Sequence, residues 1–167
     1  MRNFLIGVAV TLGVLALGGG ILAGFGLINP FADQQPGKLE AAIASGSLDA
    51  AVKRRAGGLT NPVQATDDNL LRGMTLYSIN CAGCHGTLDK STSKLGADFY
   101  PPVPQIVKDP IDDPEWFIYY VTKHGVRFTG MPAWGSHLKD EEIWKIAAFL
   151  SRIDKLPPAV QDKMPKP

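Results

Sequence analysis

The sequence predicts an all-α protein, a single membrane-length helix followed by a small helical domain. Two observations carry this. Phe4 to Ile28 is an uncharged run of Leu, Ile, Val, Ala, Gly and Phe with a single Thr, longer than the ~20 residues that cross a bilayer core. Between residues 66 and 153, apolar side chains recur at helical spacing in three segments, each bounded by start and stop signals, and no stretch shows the alternation of a half-buried strand.

Residues 1–28 are read as an uncleaved membrane anchor. The glycines at 7, 13, 18–20, 24 and 26 are tolerated in membrane helices. The alternative is a signal peptide, but the run exceeds the ~7–15 residue apolar region of one and lacks an A-x-A-like site near its end. Arg2 and the amino terminus precede the run, and the next basic residue is Lys38. The positive-inside rule therefore sets the N-terminus in the cytoplasm and the rest outside, a single-pass protein of the cytoplasmic membrane with a periplasmic or extracytoplasmic domain.

Residues 29–65 read as a connector with short helices. Pro30, Pro36, Gly37, Gly46, Gly57, Gly58 and Pro62 interrupt two helical stretches, 38–44 and 48–55. A wholly flexible connector of this length averages roughly 30–35 Å end to end; docked helices would shorten it. The main domain, 66–155, opens at Thr66-Asp67-Asp68, whose oxygens suit a helix start. Leu70, Leu71, Met74 and Tyr77 form the first apolar stripe. Asp113-Pro114-Glu115 starts a second helix with Asp as cap, and His124-Gly125 ends it. The last helix runs from Asp140 to Ile153, with Ile143, Ile146, Ala147, Leu150 and Ile153 on its buried side. Residues 156–167 are expected to be a loose Pro-rich tail.

Lys plus Arg total 17 and Asp plus Glu 16. Such balance gives no basic footprint for nucleic acid. The only two cysteines fall in Cys81-Ala82-Gly83-Cys84-His85. C-x-x-C-H is the attachment signature of a c-type haem. Two thiols one helical turn apart can each form a thioether to a porphyrin vinyl group, and the adjacent imidazole can ligate iron. A thioredoxin-type redox pair needs a βαβ surround, and a zinc site needs about four protein ligands. A disulfide across two residues would be strained and close almost no loop.

The iron's other face needs a second ligand. Met131, in Thr129-Gly130-Met131-Pro132-Ala133-Trp134-Gly135, lies 46 positions after His85. Its soft thioether favours reduced iron and raises the potential. His124 and His137 are rivals that would give a lower-potential bis-His site. Trp134, beside this loop, can donate its indole N–H to a haem propionate.

With these residues in order, the chain from about Asp67 to Ile153 resembles a class I, single-haem cytochrome c. The resemblance rests on Cys81 to His85, on Gly130-Met131-Pro132, and on the closing helix Asp140-Glu141-Glu142-Ile143-Trp144 to Phe149-Leu150. It implies a cytochrome c fold around one covalent haem c held by Cys81 and Cys84, with His85 and Met131 as axial ligands. It implies that the first and last helices cross, with Gly73 and Tyr77 near Phe149. A proline carbonyl normally orients the histidine ring, and Pro101, Pro102 and Pro104 are all candidates. Attachment of such haems is extracytoplasmic, in accord with export of the domain. Lys139 stands where Ser or Thr would cap the last helix better.

The expected function is one-electron transfer by a membrane-anchored carrier in a respiratory-type or photosynthetic chain. With both axial positions filled no substrate reaches iron, so the chain reads as an electron carrier and not an enzyme, with no small-molecule substrate. Its partners are the membrane and redox proteins, donor and acceptor. The alternatives are a fixed haem c subunit of a larger membrane oxidoreductase complex and a haem-based ligand sensor or peroxidase.

Overall fold

The computed structural model describes residues 1–165 and is helical, with no strand among the described residues. The chain divides into two units, Met1–Phe31 and Ala32–Pro167. The first is α1, Arg2–Gly24, long and apolar enough to cross a membrane. At ~1.5 Å per residue it measures about 35 Å, against ~30 Å of hydrocarbon core. The helix stops before Ile28 because Gly26 adopts φ +67°. The Leu27 N–H then donates to Leu22 O at 2.9 Å and the Gly26 N–H to Ala23 O at 3.1 Å, the paired bonds of a glycine C-terminus.

The second unit begins with α2, Lys38–Ala56. The sequence suggested two stretches parted at Gly46, but a single helix runs through it. An exposed interior glycine costs only about 1 kcal/mol relative to Ala, and tertiary packing supplies more than that. Val52 and Ala56 are 3% and 1% exposed, and α2 packs against α6, Glu115–His124. At the other end of α2, the Tyr100 hydroxyl donates to the Glu40 carboxylate at 2.7 Å.

The core is built on the crossing of α3, Asp67–Asn80, with α7, Asp140–Leu150. Thr66 caps α3, its Oγ1 accepting the Asn69 N–H at 3.3 Å. Gly73 lets the two backbones touch: an added Cβ would overlap the Lys145 carbonyl oxygen and stand 3.0 Å from Phe149 Cβ. One turn on, the Tyr77 and Phe149 rings lie 6.1 Å apart. Helix α7 also packs on α6, where Trp144 and Tyr119 stack at 3.9 Å with an interplanar angle of 3°. Arg152 pairs with Glu115 across the same junction, and Asn61 donates to both Glu115 and the Trp144 carbonyl.

Two helix boundaries, the start of α6 and the end of α7, differ from expectation. Pro114, not Asp113, is the N-cap of α6. Lys139 does precede α7, and the missing hydroxyl cap is offset by Glu142, whose carboxylate accepts the Lys139 N–H at 3.2 Å. Helix α7 ends at Leu150, and tighter turns carry the chain through Ile153. The expected loose tail is instead docked through Met164. Leu156 is buried, and Val160, on the short helix α8 at Pro158–Gln161, is fully enclosed beside α3. Two apolar side chains four residues apart gain more from burial than the prolines lose in freedom. Lys166 and Pro167, the end of that tail, lie outside the described residues.

Candidate functional site

Cys81 closes α3 and opens α4, Ala82–His85. Its carbonyl accepts the N–H groups of Cys84 at 3.0 Å and His85 at 2.9 Å, which fixes the one-turn spacing of the two thiols. Both cysteines are free, Cys81 buried and Cys84 half-buried. Burial first, and the neighbouring Cys84 second, push the Cys81 thiol up to about 12. A redox-active C-x-x-C motif holds its nucleophilic thiol well below the ordinary value, the opposite direction to that of Cys81.

Helix α3 holds the end of the motif in place. The Tyr77 hydroxyl donates to Gly86 O at 2.7 Å and is 3.2 Å from His85 O. Burial raises the Tyr77 pKa, so it stays a donor. The His85 ring stands with Nδ1 2.9 Å from the Pro104 carbonyl. A carbonyl can only accept, so Nδ1 carries the proton and Nε2 keeps its lone pair. Burial lowers the His85 pKa against the opposing pull of the Pro104 bond, which keeps the ring neutral at pH 7. Among the three candidate prolines, Pro104 is thus the one whose carbonyl meets the ring.

Met131 sits half-buried in a loop closed by its own backbone. The Val126 N–H donates to Met131 O at 3.1 Å. Thr129 Oγ1 accepts the Met131 N–H at 3.1 Å and donates to Val126 O at 2.8 Å. The chain enters at Gly125 with φ +65°, where an added Cβ would stand 2.7 Å from Met131 O. Gly130 lies so close to the Phe99 ring that any side chain there would overlap it. Phe99 precedes the segment that carries Pro104, so the histidine and methionine supports touch through Gly130 and Phe99.

Trp134 is half-buried at the head of a 3-10 turn, Trp134–Ser136, with its ring 6.1 Å from that of His137. The rival histidines are both exposed: His137 lies against Trp134, and His124 lies against the Tyr120 ring at 4.3 Å. Two features go beyond the sequence expectations: the Gly130–Phe99 contact, and the hydrogen bonds of the Gln105 amide with Ser93, Cys84 and Val103. Neither leaves a sequence signal, since one is a long-range fit and the other a single amide beside a proline.

The donor set fits a covalent haem. It offers two thiols one turn apart, an imidazole whose Nδ1 is already engaged, and a thioether on a loop in contact with the imidazole's support. Residues 68–150 match the family model described as cytochrome c oxidase, cbb3-type, subunit III. No curated protein matches the chain.

Proposed function

We propose, from the match of residues 68–150 to the family model, that this chain is a membrane-anchored c-type cytochrome that carries electrons, with one haem c and His/Met ligation. Cys81 and Cys84 would hold the group by thioethers, His85 and Met131 would ligate its iron, and Trp134 would donate to a propionate. The haem supplies an iron that cycles between ferric and ferrous states. The observation that carries the ligand assignment is the His85 Nδ1–H bond to Pro104 O at 2.9 Å, because it leaves Nε2 as the free donor and fixes the ring's direction.

The protein's own residues do the rest. The closed loop from Gly125 to Met131 limits how far the thioether can withdraw, so an outside ligand finds no ready vacancy. The anchor is α1, with Arg2 and the amino terminus on the cytoplasmic side and the haem domain on the periplasmic or extracytoplasmic side. Adding carbon monoxide to the reduced, haem-loaded chain is expected to leave its visible spectrum unchanged. A prompt shift would favour the sensor or peroxidase function instead.

Two observations favour a second reading, a fixed haem c subunit of a larger membrane oxidoreductase complex. One is the family itself, whose description is a subunit of an oxidase. The other is α2, which packs against α6 and leaves residues 25–37 as the chain between the first two helices. If flexible, that segment averages roughly 20 Å, against the 30–35 Å of an undocked connector. Gel filtration of gently solubilised membranes discriminates. Covalent haem stain at a size well above the monomer supports the subunit; stain only at the monomer size sinks it.

A further inference from the structure

We propose that Gln105 is the positioning residue that sets the hydrogen bond on the His85 ring; this rests on His85 being an axial ligand. The Gln105 side chain is half-buried and all its polar groups are engaged. Oε1 accepts the Ser93 N–H at 2.7 Å. Nε2 donates to Cys84 O at 3.1 Å and to Val103 O at 2.9 Å. The amide has one workable orientation, since the reverse would set its oxygen against two carbonyls.

Two glycines make room for it. At Gly86, with φ +91°, an added Cβ would stand 3.2 Å from Oε1; at Gly96 it would stand 3.1 Å from Nε2 and overlap the Cys84 carbonyl. Both approaches are tighter than ordinary van der Waals contact, so the cradle is shaped to the amide at each end.

The consequence falls on Pro104. Proline has no N–H and no polar side-chain atom, so its neighbours set where its carbonyl points. Val103 is tied by its N–H to Gly96 O at 2.9 Å, and the Ile106 N–H donates to His85 O at 3.1 Å. Gln105 links Cys84, the residue before His85, to Val103, the residue before Pro104. One amide thus cross-links the two segments that carry the ring donor and its acceptor, one residue away from each.

A hydrogen bond at Nδ1 makes the imidazole a stronger donor through Nε2, and a stronger donor favours ferric iron. Loosening that bond therefore raises the midpoint potential. The experiment uses the full chain with covalent haem, as wild type, Gln105→Ala and Gln105→Glu. Proton NMR of the ferrous form follows exchange of the His85 Nδ1 proton with solvent.

Both variants are expected to speed that exchange about tenfold, the effect of one weakened hydrogen bond, and Gln105→Ala to shift the potential upward. Glu keeps an acceptor for the Ser93 N–H but removes both donated bonds, so it gives the exchange result even if the Ala variant fails to fold. Unchanged exchange in the variants, with unchanged potential in Gln105→Ala, would overturn the proposal, because a purely structural brace lowers stability and moves neither. Ferric wild type supplies the separate check on the premise. If its His85 ring protons show no hyperfine shift, His85 is not the ligand and the proposal falls with that assignment.

Discussion

Met131→Ala lowers the midpoint potential by on the order of 0.1–0.3 V, a fraction of the ~0.8 V range that axial ligands span. The sign follows from the thioether. A soft, neutral sulfur favours ferrous iron, and its loss returns the advantage to ferric iron. The substitution is a clean one because the loop does not depend on the side chain. Its closing bonds run from the Val126 N–H to Met131 O and from the Met131 N–H to Thr129 Oγ1, and both survive in alanine. Redox titration beside a thermal melt separates the two effects: a large fall in potential with little change in melting marks ligand loss. An unchanged potential would move the assignment to His124 or His137, the two exposed imidazoles.

Gly73→Val destabilises the domain by roughly 2–4 kcal/mol, the cost of forcing atoms into a filled core. A Cβ at this position would overlap the Lys145 carbonyl oxygen, and backbone cannot rotate away as a side chain can. Helices α3 and α7 would have to part, and the contact of Tyr77 with Phe149 would go with them. Because Tyr77 also holds the His85 and Gly86 carbonyls, the loss would reach the site. Urea unfolding of the haem-loaded protein measures it. A midpoint equal to wild type would show that the two helices do not meet at Gly73.

Much of this was legible because it is written in local chemistry. The helix starts at Thr66 and Asp140, the stop at Gly125 and the motif at Cys81 each depend on neighbours a few residues away. The crossing at Gly73 and Phe149 came from family resemblance and meets the observed contact. What stayed hidden depends on partners far along the chain. Pro101, Pro102 and Pro104 are alike in sequence, and only the folded path brings the third to His85. Gly46 suggested a break in α2, but burial of Val52 and Ala56 against the domain outweighed it. The prolines at 157 and 158 suggested a free tail, while Leu156 and Val160 filled a gap that only the tertiary structure creates.

The domain carries two kinds of support for the proposed redox centre. One fixes direction: Pro104 on the His85 ring and the Thr129 turn on Met131. The other fixes separation, through the Gly130–Phe99 contact that joins the two supports. An electron carrier gains from both, since its ligands need to move little between oxidation states. The central claim is therefore a closed, six-coordinate haem between His85 and Met131. The near-infrared spectrum of the ferric full chain tests it most directly. The weak sulfur-to-iron charge-transfer band is expected in wild type and absent in Met131→Ala. A wild-type spectrum without that band would contradict the claim.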